Sequence, residues 1–284
     1  MLRSFGDYTN KLLIGAVAIA MVVAMSSTAS ADGLDFDIDE QDYDTTGNTL
    51  TSDFIDGSYN EILTITSFDP ITGFGEFETL AYWNVGKFVL DGADQPSNEG
   101  GPGQYELYAI FAASGEFQFD FGTGEFEFTA TGGEIELYAD DDSDTGTAQA
   151  DLPASGLLGN PDLLQPIRDA RGGTTTDDVL LATASLLSGD GDTSGGQSAG
   201  NFGLTFDTFD LTLPGLSYFV GPVPFHMIVT LQGNFNEFNE NLTNQVLQGS
   251  ANAEFMGVPE PAVLSLLGLG LLGSALAVRR RRRA

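Results

Sequence analysis

The sequence predicts an all-β body, an antiparallel β-sandwich or jelly roll, between an N-terminal signal helix and a C-terminal transmembrane helix. Three observations carry this reading. Between Asp32 and Gly257 no long segment repeats apolar residues with the 3.6-residue period of a helix, whereas period-2 alternation recurs. The apolar runs are short and separated by Gly, Asp, Asn and Ser clusters. Finally, 21 Phe against one Trp supply large apolar side chains for a core between sheets.

Residues 1–31 read as a secretory signal peptide. Arg3 and Lys11 give a positive start, and Leu12–Met25 is an uncharged stretch short for a bilayer span. Small residues at Ala29 and Ala31 mark a signal peptidase site, so the mature chain is expected to begin at Asp32.

The clearest hairpin is Glu116–Phe121, a turn at Gly122–Gly124, then Glu125–Phe128, with Phe117, Phe119, Phe121, Phe126 and Phe128 on one face. Further strands are predicted at Glu61–Thr66, Gly75–Trp83, Gln104–Ala112, Glu134–Ala139, Gly203–Leu213, Pro224–Gln232 and Asn234–Phe238. Residues 150–200 read as a loop or insertion within the exported domain 32–257. There Asn160-Pro161-Asp162 is a helix-start signal, but Pro166 leaves only a short turn near Ile167–Ala170 secure. Val179–Leu187 has the length of a strand or short helix, and Ser188–Gly200 reads as a mobile loop.

The chain closes with Val258-Pro259-Glu260-Pro261, an uncharged run Ala262–Val278, and Arg279, Arg280, Arg281, Arg282 and Arg283. At ~1.5 Å per residue the run spans about 25 Å as a helix, and the arginines hold its end in the cytoplasm. This order resembles the PEP-CTERM sorting signal of Gram-negative bacteria. The resemblance implies that Pro259, Glu260 and Pro261 are recognised by an exosortase, which removes the tail and delivers the protein to the cell surface or extracellular matrix. The membrane, signal peptidase and exosortase are then partners during processing.

The body carries a second resemblance. Ser58-Tyr59-Asn60-Glu61, Gly73–Phe77, Leu107–Phe111, Leu137–Asp140 and Asp144-Thr145 look like flocculation-associated PEP-CTERM proteins. This implies a non-enzymatic surface or matrix protein that supports flocculation or biofilm through exopolysaccharide. A calcium- or glycan-binding module with a specific ligand is the alternative reading, and a secreted carbohydrate-active enzyme a more distant one.

Composition narrows the chemistry. The formal net charge is −31, and away from the two ends Lys87, Arg168 and Arg171 are the only basic residues, so nucleic acid is excluded as a partner. Zero Cys removes disulfides and thiolate chemistry. The single His226 lies in an apolar run without a G-x-S-x-G motif, which points away from a serine triad. No catalytic residue is assigned. Trp83, Tyr82, Tyr105, Tyr108 and Tyr138 offer ring faces for a sugar.

Calcium is the one cofactor considered. Asp190 and Asp192 open a D-x-D-x-S-G string, but Asn201 stands where such a loop wants Glu. Asp140, Asp142 and Asp144 form a second acidic knot, and Asp35–Asp44 a third. Solvated acidic loops are the competing reading of all three. Arg168 and Arg171 are expected to pair with Asp169, Asp177 or Asp178.

Overall fold

The computed structural model describes residues 33–44, 46–100, 104–141, 164–170, 176–193, 199–225, 227–236 and 243–257. The two terminal segments predicted as helices, with Ala29, Ala31, Pro259, Glu260, Pro261 and Arg279–Arg283, lie outside the described residues, as do Asp142, Asp144, Arg171 and His226. The described elements in chain order are β1 (Phe36–Asp39), β2 (Thr49–Ser52), β3 (Phe54–Phe68), β4 (Phe74–Leu90), β5 (Ala93–Asp94), β6 (Glu106–Asp120), β7 (Glu125–Asp140) and α1 (Gln165–Ala170). They continue with β8 (Val179–Thr193), β9 (Ala199–Thr208), β10 (Asp210–Leu211), α2 (Leu213–Tyr218), β11 (Phe219–Gly221), β12 (Met227–Asn236) and β13 (Asn244–Gly257).

The all-β class holds, but its architecture is a closed barrel. Strands β3, β4, β6, β7, β8, β9, β12 and β13 each pair antiparallel with the next. β13 then returns to β3, with Ala253 opposite Ile55, so eight strands close on themselves. The expected sandwich or jelly roll fails because the strands are long and follow one another in meander order. Strands of 15 to 17 residues, such as β3, β4 and β6, accumulate enough twist to bring the last edge onto the first.

Strand length is what the glycines concealed. The predicted segments Gln104–Ala112 and Glu116–Phe121 are one strand, β6, and Glu125–Phe128 and Glu134–Ala139 are one strand, β7. Gly115 between them sits at a register shift, where a Cβ would be driven into the carbonyl oxygen of Thr129. It is a close-approach position within a strand, not a turn. Gly73, at φ +76°, is a true turn glycine in the β3–β4 hairpin. Of Ser188–Gly200, read as a loop, Ser188–Thr193 instead complete β8 and Ala199 and Gly200 begin β9, while residues 194–198 lie outside the described residues.

Alternation then sorts side chains to the two faces of the wall. Ile55, Tyr59, Leu63, Phe77, Ala81, Trp83, Leu107, Phe111, Phe117, Leu137, Phe206, Leu231 and Phe255 fill the interior. Of the hairpin rings expected inside, Phe117 and Phe126 are buried and Phe119 and Phe128 pack against the core, but Phe121 lies in the turn and is 57% exposed. On the outside of β3, β4, β6 and β7 a second apolar group, including Ile62, Leu80, Tyr82, Tyr108 and Tyr138, is covered by Leu164 and by Ile167 of α1. This bears out the short turn predicted there.

One end of the barrel is capped. β1, β2 and β11 form a three-stranded sheet, with Phe36 4.6 Å from Phe255 at the end of β13. The short α2 joins this cap, its start secured by Thr212, whose Oγ1 accepts from the Gly215 amide at 3.1 Å. The opposite end carries the hairpin turns at 69–73 and 121–124.

Candidate functional site: lumen, cap and outer wall

Period 2 along β3 aims Tyr59, Glu61 and Leu63 inward, and Glu61 is thereby a carboxyl within an apolar barrel. Thr79 of β4 donates its hydroxyl to Glu61 Oε1. Burial is the dominant influence and lifts the Glu61 carboxyl to about 7, against the lowering effect of that hydrogen bond. Beside it is a cavity of about 60 Å³, walled by Phe77, Phe111, Phe128, Phe202 and Phe235. That volume holds about two waters, not a sugar ring.

A second buried polar group joins the cap to the barrel. Glu40, fully buried just past β1, accepts from the Tyr105 hydroxyl at 2.9 Å, the Asn98 amide at 3.0 Å, the Asn48 amide at 3.4 Å and the Ser97 hydroxyl. Tyr105 in turn shares a 2.9 Å hydrogen bond with Tyr218 of α2. Burial raises both tyrosines far above the phenol range, and the Glu40 charge adds to it. Nearby Glu99 has Leu107 N at 3.4 Å from one oxygen, while its Oε2 is buried without a hydrogen-bond partner. Burial, then the Glu106 and Glu40 charges, pushes this carboxyl up to about 8. Sequence reasoning grouped Glu40 with an exposed acidic knot; alternation along β1 was the signal that singles it out.

The predicted acidic sites do not assemble. Asp190 and Asp192 lie on the exposed face of a continuous strand, so the backbone does not wrap around an ion as a D-x-D loop would. They face Thr129 and Glu127 on β7. Asp140 is fully buried at the end of β7 opposite Glu106. In the Asp35–Asp44 stretch, Asp44 accepts from Thr46 N at 2.8 Å and Asp39 from Gln41 N at 3.0 Å, which are local turn contacts. Among the described residues no group of three or more His, Asp or Glu converges to hold a metal.

The proposed ring platforms are not presented to solvent either. Tyr82, Tyr108 and Tyr138 stack at 5.0 and 5.2 Å across three strands, but all are buried beneath the α1 segment. Trp83 is in the lumen, donating Nε1–H to the Ala251 carbonyl at 3.2 Å. Arg168 pairs with Glu136 of β7 through Nε at 2.8 Å and Nη2 at 2.5 Å.

The outer wall divides in two. Around β4, β6, β7 and β8, carboxylates stand directly opposite one another: Glu76 and Glu116, Asp120 and Glu125, Glu127 and Asp192. Around β9, β12 and β13 the outward positions are mostly amides and hydroxyls. Between these strands lies a groove of about 330 Å³ lined by Asn201, Gln232, Asn234, Ser250 and Asn252, with Phe54 and Asp56 also contributing.

The last strand of this apolar-filled barrel, β13, ends at Gly257, where the C-terminal address begins. That address is a PEP-CTERM protein-sorting motif, matched over residues 257–282. The chain is thus an exported, exosortase-processed protein whose precursor is anchored in the membrane. No curated protein and no solved structure matches it. Among the described residues no helix is long and apolar enough to cross a membrane.

Proposed function

We propose that the delivered barrel is a non-enzymatic protein of the cell surface or extracellular matrix of a Gram-negative bacterium, supporting flocculation or biofilm through association with exopolysaccharide. The observation that carries this reading is contiguity: the sorting motif begins at Gly257, the residue that ends β13. The closing strand and the address share one residue, so release at the motif frees the barrel with its closing strand intact. A lumen filled by phenylalanine and lacking substrate-sized space supports a binding or structural role over turnover. The amide-lined groove favours a glycan-binding module as the more specific form of the same reading.

The test is a deletion strain complemented with the wild-type chain or with Pro259→Ala/Glu260→Ala/Pro261→Ala. Wild type should restore aggregation and yield a surface protein whose intact mass begins at Asp32 and excludes Arg279–Arg283. The triple variant should remain in the membrane fraction without restoring aggregation. Aggregation that is indifferent to the deletion overturns the proposal.

A further inference from the structure

We propose that the outer wall of β9, β12, β13 and β3 is a binding site for a neutral, hydroxyl-rich polysaccharide. The inference rests on the matrix reading above and deepens it by naming the surface and the ligand chemistry.

The site is built by register. Gln232 of β12 lies between Asn252 of β13 and Gly203 of β9, and Asn234 lies opposite Asn201. One strand further, Ser250 and Asn252 face Ser58 and Asp56 of β3. Successive outward positions on four adjacent strands therefore present a field of amides and hydroxyls. All of them stand on hydrogen-bonded strands of a closed barrel, so the field is preorganised.

Its hydrogen-bonding capacity is largely uncommitted. Asn234 Nδ2 donates to Ser250 Oγ at 2.9 Å. Among the described residues, the side chains of Asn201, Gln232 and Asn252 make no hydrogen bond. Each free amide offers two N–H donors and a carbonyl acceptor. Adjacent sugar hydroxyls, which both donate and accept, match that set; a carboxylate or phosphate group, which only accepts, uses half of it.

Charge points the same way. In a protein of net charge −31, the residues lining the groove include one acidic side chain, Asp56, which is 3.7 Å from a Lys87 ammonium shared with Asp94 at 3.0 Å. Beyond the groove, Asp192 and Asp190 of β8 stand opposite Asn201 and Gly203 at the β9 edge, so a polyanion is repelled at the site as by the whole molecule, while a neutral chain is not. Shape contributes as well. A Cβ at Gly203 would meet nothing within 4 Å, so the missing side chain leaves a trough between Asn201 and Thr205. With Phe54 as the one aromatic side chain lining the groove, the surface is too polar to resemble the apolar centre of a self-association interface.

The test uses the mature protein extracted from the cell surface and the strain's own exopolysaccharide, split by anion exchange into neutral and acidic fractions. In affinity gel electrophoresis the neutral fraction should retard the wild type. Gln232→Ala/Asn252→Ala, and independently Gly203→Val, should weaken retardation by roughly tenfold with the melting temperature held. Glu127→Gln, on the acidic wall, should leave retardation unchanged. Undiminished binding by both groove variants, or retardation by the acidic fraction alone, overturns this site while leaving the matrix reading in place. Retardation by neither fraction overturns both.

Discussion

Glu61 shows how one inward position sets a pH dependence. An unfolded glutamate ionises near 4.5, whereas the folded group holds its proton to about 7. Between those values the folded state binds more protons than the unfolded state, so stability falls as pH rises through that window and levels off above it. Glu99, held to about 8 by its burial, extends the same trend to higher pH. Glu61→Gln keeps the acceptor for Thr79 and removes the ionisation. It is expected to add up to about 3 kcal/mol above pH 7, roughly 5–10 °C in melting temperature, and nothing near pH 4. Thermal melts of both proteins from pH 4 to 8 check this, and parallel curves would show that Glu61 is not buried in the folded state.

At the scale of elements, a fork from Arg168 to Glu136 adds to the packing of Leu164 and Ile167 in holding α1 over the tyrosine stack. Arg168 and Glu136 are 22% and 13% exposed at their side chains, and Tyr138 adds a 2.6 Å hydrogen bond to the same carboxylate. Arg168→Ala leaves Glu136 half-partnered beneath the cover and is expected to cost about 2 kcal/mol. Acrylamide quenching of tyrosine fluorescence should rise with it, and Arg168→Lys should fall between, because an ammonium lacks the fork. The acidic wall yields a second expectation. Glu127 and Asp192 face one another across β7 and β8, and like charges so placed oppose strand pairing. Sodium chloride should therefore raise the melting temperature by screening. Calcium should raise it further at equal ionic strength by bridging the opposed carboxylates, and Glu127→Gln/Asp192→Asn should remove part of that surplus. Identical curves for the two salts would reduce the effect to screening.

For the whole molecule, closure is the decisive property. The interior of β9, β12 and β13 is apolar and the outside polar, the reverse of a barrel that faces lipid. Every long strand is paired on both sides, so the barrel itself exposes no long edge to template aggregation. A chain of residues 32–257 is expected to give a β-type far-UV spectrum and one cooperative melt. Ending it at 243 removes β13 and leaves β3 and β12 with open edges. That shorter chain should lose the cooperative transition and aggregate; a cooperative melt from it would show that closure is not what stabilises the fold.

Short-range chemistry made much of this protein legible without coordinates. The alternation Glu116–Phe121 and Glu125–Phe128 announces a hairpin, and Asp120 does face Glu125 across its turn. Pro259-Glu260-Pro261, the uncharged run and the arginines announce the sorting motif, because its features are contiguous in the chain. Period 2 says only that residues share a face; which face is the lumen depends on how the sheet closes. That was decided by pairing between residues nearly 200 apart, Ala253 with Ile55, through twist summed over eight strands. Closure turned Glu61 inward, drew Glu40, Tyr105 and Tyr218 together, buried the tyrosines beneath α1 and straightened Asp190 and Asp192 into a strand. It also gathered Asn201, Gln232 and Asn252 from three strands into one wall, a juxtaposition that no local pattern encodes.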